Sequence, residues 1–220
     1  MCGFIVYFVM PTSHWQQLNE IVEIIVLIKP RSLLDVGTGF GKYGVLAREY
    51  LELRDGRAVY DDWQCRVDGV EAFVDYLTPL HHFVYDQVYV GEATAVIPTL
   101  DTRYDLLLLI DVLEHLTFAE GMALLHKCQL RARNVLVSTP RRFFRQKAAF
   151  GNPFEMHRSH WRRRDFEMFQ APCFIPNEHS LIAFWGDDKA AVQAQFFGWK
   201  RQLKRWFPLG TFIYQRLKGD

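Results

Sequence analysis

Short apolar runs alternate with longer helical stretches through the first 140 residues, and this alternation most constrains the fold. Apolar runs of this length are typical of strands buried on both faces of a parallel sheet, whose connections are helices. An amphipathic helix with apolar residues every three or four positions, from Trp15 to Ile28, is predicted before the first strand. The predicted strands run from Leu33 to Val36, Val67 to Val70, Val88 to Val90, Leu106 to Ile110 and Val135 to Val137.

The pattern changes after Pro140. A long basic and aromatic connection leads to two further apolar runs, from Cys173 to Pro176 and from Leu181 to Trp185, which we expect to pair as an antiparallel hairpin. The sequence therefore predicts an α/β fold with a Rossmann-like, seven-stranded and mostly parallel sheet, helices on both faces and a C-terminal antiparallel hairpin. A chain of 220 residues is expected to form one domain.

A glycine-rich turn follows the first predicted strand. Residues 39 to 44, Gly-Phe-Gly-Lys-Tyr-Gly, fit the pattern G-x-G-x-x-G and precede a helical run predicted from Val45 to Leu53. Such a turn lets the backbone approach a ligand at a helix N-terminus. A dinucleotide site would place an acidic ribose ligand about 20 residues onward, whereas the best candidate, Glu71, lies considerably farther along the chain. The spacing disfavours NAD.

The longer run from residue 35 to 41, Asp-Val-Gly-Thr-Gly-Phe-Gly, resembles D-x-G-x-G-x-G, the first motif of the class I S-adenosylmethionine-dependent methyltransferases. The resemblance covers about residues 30 to 140. It implies that Asp35 orients the loop or the amino end of the cofactor, and that Glu71 binds the ribose hydroxyls. The cofactor-binding residues implied in these two segments are Asp35, Gly37, Thr38, Gly39, Gly41, Glu71 and Ala72. The family usually spaces the two motifs more closely, so Asp55 to Gln64 is interpreted as an insertion.

Two later strand ends extend the resemblance. Glu92 and Ala93 are similar to the acidic and small pair that binds the adenine amino group, and Asp111 and Val112 to the loop beneath the sulfonium. Alternatives stay open at both places. Glu92 could be a solvent-facing strand end, and Asp111 with Glu114 has the D-x-x-E form of a helix capping box, which is compatible with a cofactor contact.

The catalytic candidates lie in the polar segment from Phe150 to Trp161. Methyl transfer depends mainly on alignment of the acceptor, and a base is needed only if that acceptor loses a proton. We therefore predict Glu155, His157 and His160 as catalytic residues, and the spacing suggests that both histidines share a helical face. The alternative is that they brace an active-site lid. No metal is predicted, since only Glu155 would complete a histidine pair.

Charge suggests an anionic partner. The formal net charge of +1 combines −7 in residues 1 to 140 with +8 in residues 141 to 220. An acceptor with phosphate or carboxylate would suit this basic half, although solvated surface charge is the alternative. Nucleic acid is disfavoured, because residues 152 to 154, Asn-Pro-Phe, follow a different strand from the similar motif of nucleic-acid amino methyltransferases. The cationic and aromatic tail suits peripheral membrane contact or packing on the sheet.

These observations predict a single methyltransferase domain. Its parts would be an N-terminal segment and helix (1–30), a cofactor-binding half (31–140), an acceptor-side segment with the hairpin (141–186) and a basic aromatic C-terminal tail, expected to be helical from Asp187 (187–220). Four widely spaced cysteines indicate a reducing cytoplasm. The apolar residues 1 to 10 lack the charged region and cleavage site of a signal peptide.

The predicted activity is S-adenosylmethionine-dependent O-methylation of a small-molecule or glycan-type acceptor, with S-adenosylhomocysteine as product. An RNA methyltransferase and a non-catalytic, cofactor-binding partner subunit are the alternatives. The sequence leaves the oligomeric state open.

Overall fold

The computed structural model describes residues 12–53, 62–169 and 171–198. Seven strands form one sheet in the order β3-β2-β1-β4-β5-β7-β6. The first five pair in parallel, and β7 pairs antiparallel with both β5 and β6. The predicted fold class is confirmed. The strands are β1 (Ser32–Val36), β2 (Arg66–Glu71), β3 (Gln87–Val90), β4 (Tyr104–Ile110), β5 (Ala132–Pro140), β6 (Cys173–Ile175) and β7 (Ser180–Gly186).

Six α-helices connect and flank the strands. They are α1 (Leu18–Ile28), α2 (Lys42–Ala47), α3 (Pro79–Val84), α4 (Ala93–Val96), α5 (Phe118–Arg131) and α6 (Lys189–Phe197). The helix predicted from Trp15 to Ile28 is observed from Leu18, and a 3-10 turn over Trp15–Gln17 precedes it. The helix after the glycine turn begins at Lys42, earlier than predicted, and continues into a π-helical turn over Arg48–Glu52.

The sheet is buried on both faces, as its apolar strands require. On one face Leu34, Leu107 and Val135 join a core that includes α5 residues Leu124 and Leu125. Burial of each such side chain stabilises the fold by roughly 1.5–3 kcal/mol. On the opposite face, Leu33, Leu106 and Leu136 pack in a second core with residues of α1, α2 and α6.

Two buried charged residues near the sheet, Arg48 and Asp68, have charged partners. Arg48, 4% exposed, lies 3.5 Å from Glu52 and 2.9 Å from Asp86, and its Nε also donates to the Val84 carbonyl. Asp68 lies inside β2, where it accepts hydrogen bonds from Arg66 and Tyr104. Because of these partners, the Asp68 carboxylate is bonded within the sheet, and Glu71 is the carboxylate at the end of β2.

Several predicted features lie partly or wholly outside the described residues. They are the apolar residues 1 to 10, most of the interpreted insertion and the tail beyond residue 198. The helix predicted from Asp187 is observed as α6. Within the described ranges, every helix is too short or too polar to cross a membrane.

Candidate functional site

The predicted cofactor residues meet at one edge of the sheet. Strand β1 lies between β2 and β4, so the strand order reverses between β1 and β4. The loops after β1 to β5 emerge at the carboxyl ends of these parallel strands. In open α/β sheets the crevice outside the carboxyl ends at such a reversal is the usual ligand site.

The loop after β1 has the backbone shape that its glycines permit. Gly37, Gly39 and Gly41 have φ angles of +76°, +54° and +83°, a region that side chains with a Cβ atom disfavour. The amide of Gly37 donates to the Val70 carbonyl at 2.8 Å, which ties the loop to β2. A Cβ atom on Gly37 would also come within 2.7 Å of the Val112 side chain. Val112, predicted as a site residue, therefore packs directly on the loop.

Glu71 joins the first two strand ends. Its Oε2 accepts hydrogen bonds from the Gly39 amide at 2.9 Å and the Thr38 hydroxyl at 3.3 Å, and its Oε1 accepts from the Phe73 amide at 2.8 Å. An ionised carboxylate offers about four lone-pair sites, so these three donors leave capacity for a ligand hydroxyl. Glu71 thus supports the glycine loop and can still accept a hydrogen bond from a ligand.

Asp35 is buried below the loop. Its Oδ2 accepts a 2.6 Å hydrogen bond from the Tyr85 hydroxyl. Burial raises the pKa of Asp35 to about 7, while the Tyr85 hydroxyl opposes that shift. The Gly44 amide also lowers the pKa, which places Asp35 close to the start of α2. These contacts favour orientation of the loop over direct contact with a ligand.

His81 supports the same loop and was not predicted as a site residue. Its Nδ1 accepts from the Thr78 amide at 3.1 Å, and its Nε2–H donates to the Gly39 carbonyl at 2.9 Å. The ring is fully buried. This contact joins residues 42 positions apart, so no local sequence pattern indicates it.

Glu92 and Ala93 lie at the start of α4, after β3. Glu92 is the exposed residue before the helix, and its side chain makes no capping hydrogen bond. The Gly91 amide donates to the Glu71 carbonyl at 2.8 Å, so the end of β3 lies next to the end of β2. Both predicted residues are therefore at the correct edge, with Glu92 open to solvent.

Asp111 is covered by the N-terminal segment, which the sequence reasoning did not connect with the site. Its Oδ2 accepts from the His14 amide at 3.1 Å and from the Gln17 side chain at 2.6 Å. Burial raises the pKa of Asp111, and these two donors oppose the shift. Lys42 donates to the Ser13 carbonyl at 2.6 Å and holds the same segment from the other side.

The capping-box interpretation of Asp111 and Glu114 is wrong. Asp111 has a left-handed φ of 54°, and the 3-10 turn that follows begins after Val112 without a side-chain cap. The capping box at this place consists of Thr117 and Glu120, at the N-terminus of α5. Glu114 is instead 3% exposed, and its Oε2 has no hydrogen-bond partner among the described residues. Burial, then the charge of Asp111, raises the pKa of Glu114 well above its usual value.

His157 approaches this buried carboxylate together with His115. The two imidazole centroids are 5.0 Å apart, and one ligand atom from each of Glu114, His115 and His157 lies within 4.8 Å of the others. Burial lowers the pKa of His157 and lowers that of His115 to about 4, with His157 adding to the latter shift. Both rings are therefore neutral at pH 7.

The expected helical face for His157 and His160 is also wrong. Residues 157 to 162 form no helix, because their backbone and side chains bond to other loops. The amides of Arg158 and Ser159 both donate to the Glu114 carbonyl, and His160 Nε2 donates to the Arg141 carbonyl at 3.2 Å. The two histidines consequently have different hydrogen-bond partners, and the Phe143 ring lies near both of them.

Glu155 faces the cofactor side of the edge. The Tyr76 hydroxyl, in the loop after β2, donates to Glu155 Oε1 at 3.0 Å, and Gln146 donates to its carbonyl at 2.8 Å. Burial raises the pKa of Glu155. The acceptor-side segment is thus bonded to the β2 loop through Glu155, as well as to the β4 loop through Glu114.

Exposed cations surround this segment. Arg158 pairs with Glu120 at 3.1 Å and Arg164 with Asp165 at 3.8 Å, so part of the positive charge is balanced locally. The exposed cations on either side of the histidines are Arg141, Arg142, Arg145, Lys147, Arg158, Arg162, Arg163 and Arg164.

A cavity of about 610 Å³ lies away from this edge. It is lined by residues of α1 and α2 together with Gln195 of α6, and none of the predicted site residues contributes to it. The chemistry of the strand ends, rather than cavity volume, identifies the candidate site.

No protein-family model matches the chain, and no curated relative does either. Solved structures do share the fold. The methyltransferase domain of bacterial CtHen1 is 18% identical over 78% of this chain and 98% of its own, with a TM-score of 0.52. An O-methyltransferase family protein from Burkholderia thailandensis is 12% identical over 77% of this chain and 56% of its own, with a TM-score of 0.55.

CalS10, an amino pentose methyltransferase from Micromonospora echinaspora solved with bound S-adenosylmethionine, is 14% identical over 78% of this chain and 91% of its own, with a TM-score of 0.53. At these identities the comparisons establish the Rossmann-like fold of S-adenosylmethionine-dependent methyltransferases. They agree with the resemblance drawn from Asp35 to Gly41.

Proposed function

We propose that this chain is an S-adenosylmethionine-dependent methyltransferase that methylates an oxygen of a small, anionic acceptor. One observation carries the proposal: the positive-φ glycine loop is bonded to Glu71 at the neighbouring strand end, at the reversal point of the sheet. A loop that exposes backbone and a carboxylate that accepts from hydroxyls suit the amino acid and ribose parts of the cofactor.

The residues fit that cofactor in complementary ways. S-adenosylmethionine, when bound at this edge, would supply an electrophilic methyl group for an acceptor oxygen. Glu71 would hold the ribose, Gly37 and Gly39 would let backbone approach the ligand, and Val112 would support the loop from beneath. Glu92, exposed at the end of β3, is free to reach an adenine amino group from the rim.

His160 is the candidate that would take the acceptor proton. A carbonyl can only accept, so the contact with Arg141 assigns the ring proton to Nε2 and leaves a lone pair on Nδ1. In the proposed reaction the hydroxyl proton moves to His160 Nδ1 as the oxygen attacks. His157 is less suited, because its ring packs against His115 and lies beside the Glu114 carboxylate.

The surrounding cations support an anionic acceptor. Exposed guanidinium groups bind carboxylate or phosphate through paired hydrogen bonds. Exposed cations lie on both sides of His160 along the chain, and two of them, Arg158 and Arg164, are paired with carboxylates. The three described cysteines are buried free thiols, which supports the expected reducing cytoplasm.

Thermal unfolding with added ligand tests the donor. S-adenosylmethionine at 100 times its dissociation constant should add about 2.7 kcal/mol of stability, S-adenosylhomocysteine should act similarly, and NAD should not. Glu71→Ala should lose most of the shift, whereas Glu167→Ala, which removes an exposed carboxylate away from the strand ends, should retain it. A shift caused only by NAD would refute the proposal.

The acceptor needs a second assay. Formation of S-adenosylhomocysteine should be measured with hydroxylated carboxylates, sugar phosphates and RNA. We expect turnover with a small anionic hydroxyl compound. Turnover with RNA, or tight RNA binding that weakens steeply with salt, would favour the RNA alternative. Cofactor binding without any transfer would instead favour the non-catalytic partner subunit.

A further inference from the structure

We propose that Glu114, His115 and His157 form a binding site for one divalent transition-metal cation. The three ligand atoms lie within 4.8 Å of one another. Two atoms bound to the same ion at about 2.0–2.2 Å are at most about 4.4 Å apart. Small side-chain rotations would therefore bring the three atoms to ligand distance.

Two of the three ligand groups contain buried atoms that lack a partner. Glu114 Oε2 and His115 Nδ1 have no hydrogen-bond partner among the described residues, and Glu114 is 3% exposed. Buried polar groups in folded proteins are nearly always bonded, since leaving one unsatisfied destabilises the fold. A cation at this point would satisfy the carboxylate and the imidazole together.

His157 is oriented as metal-binding histidines usually are. Its Nδ1–H donates to the Phe144 carbonyl at 2.9 Å, which leaves the lone pair of Nε2 available. Metal-ligating imidazoles commonly donate their other ring N–H to a carbonyl or carboxylate in this way. The amides of Arg158 and Ser159 bond to the Glu114 carbonyl at 2.6 and 3.1 Å, so the backbone next to His157 is fixed to the turn that carries Glu114.

The local charge also favours a cation. The carboxylates of Asp111 and Glu155 are near enough to act electrostatically on Glu114. Among the described residues, no Lys or Arg nitrogen forms an ion pair with the Glu114 carboxylate. A divalent ion would supply positive charge that the surrounding side chains do not.

The donor set indicates the class of ion. Two imidazoles and one carboxylate suit Zn²⁺, Co²⁺, Mn²⁺ or Fe²⁺, whereas Ca²⁺ and Mg²⁺ prefer sites built from oxygen. Three protein ligands leave coordination positions open. An acceptor hydroxyl at an open position would have its pKa lowered by the bound cation. That role rests on the proposed function, whereas metal binding itself does not rest on it.

Local sequence patterns could not have grouped these residues. The sequence reasoning considered His157 and His160 with Glu155, as a helical pair and a nearby carboxylate. The structure combines His157 with a buried turn 42 positions earlier, at His115, and directs His160 to the Arg141 carbonyl. The separation of the two histidines makes His160 a natural control.

Calorimetric titration of the chelator-treated full chain tests the site without cofactor. Zn²⁺, Co²⁺ and Mn²⁺ are each titrated, with Ca²⁺ and Mg²⁺ for comparison. We expect one ion per chain for at least one of the first three, and at least a tenfold loss of affinity in both His157→Ala and Glu114→Gln. His160→Ala should bind metal as the unmodified chain does. The visible spectrum of bound Co²⁺ should change in His157→Ala and persist in His160→Ala.

Absence of stoichiometric binding by Zn²⁺, Co²⁺ and Mn²⁺ would overturn the proposal. An equal loss in His157→Ala and His160→Ala would do so too. Circular dichroism establishes whether each variant is folded. If His157→Ala is not folded, the metal affinity of Glu114→Gln, which keeps the side-chain shape, decides the test. Thermal shifts with S-adenosylmethionine, measured on the metal-free chain, separate failure of the metal site from failure of the proposed cofactor.

Discussion

Replacement of Gly121 by alanine should destabilise the protein, although the same change stabilises most helices. Gly121 is buried in α5, and a Cβ atom there would come within 3.0 Å of Trp161 Cη2 and still nearer to Cζ2. Overpacking of this kind costs about 1–3 kcal/mol. Alanine gains about 0.8–1.0 kcal/mol over glycine in helix propensity. We therefore expect a net loss of up to about 2 kcal/mol in the free energy of unfolding.

Trp161 cannot easily move aside to accommodate the methyl group. Its ring is 1% exposed and stacks on Phe118 at a centroid distance of 4.8 Å. Its Nε1–H lies 2.9 Å from Ser159 Oγ and 3.2 Å from the Leu113 carbonyl. Displacement of the ring would therefore disturb the segment that carries His157 and His160.

Urea denaturation at 25 °C of four chains measures the effect: the unmodified chain, Gly121→Ala, Trp161→Phe and the double variant. The smaller phenyl ring should relieve the clash, so Gly121→Ala should cost at least 1 kcal/mol less in the Trp161→Phe background. Ala123→Gly, at an exposed position of the same helix, measures the propensity difference alone. Stabilisation by Gly121→Ala, or an equal cost in both backgrounds, would refute the reasoning.

Three further changes test other parts of the site. Glu71→Gln should reduce S-adenosylmethionine affinity by about 10- to 100-fold in calorimetry, because charge-assisted hydrogen bonds contribute about 1.5–3 kcal/mol; an unchanged affinity would exclude Glu71 as the ribose ligand. Burial raises the pKa of Asp35 from 3.8 to about 7. Between these two values the folded state keeps a proton that the unfolded state has lost, so the free energy of unfolding should decrease by up to about 4 kcal/mol from pH 4 to pH 7. Asp35→Asn should remove that decrease in urea titrations across this range, and the same slope in both chains would contradict the shift. His160→Ala should lower turnover by about 10²- to 10⁴-fold while cofactor affinity stays within about twofold; full activity would exclude it as the base.

The strands were predictable because their signal is local. Runs such as Leu106 to Ile110 are apolar on both faces and can be buried only inside a sheet covered by helices on each side. The glycine loop was equally accessible, since positive φ at Gly37, Gly39 and Gly41 follows from residue type and position in the motif. Both features depend on backbone geometry and burial over stretches of only a few residues, so the local sequence predicts them.

The remaining features depend on contacts that no local pattern contains. Asp111 was interpreted as a cap because its spacing to Glu114 fits one, yet its left-handed backbone directs the carboxylate toward His14, 97 residues earlier. The shared helical face of the two histidines failed for a similar reason. Backbone bonds to the Glu114 carbonyl and the bond from the His160 ring to the Arg141 carbonyl hold their segment out of a helix, and spacing alone cannot reveal such partners.

The hydrogen bonds of residues 13–17 impose an order on assembly of the site. This segment precedes every described strand in the chain, but Gln17 bonds to Asp111, which follows β4, and to Ser138 in β5. Its docking place therefore exists only once the parallel part of the sheet has formed. During synthesis on the ribosome, this part of the site is made before the described strands and takes its final place after them.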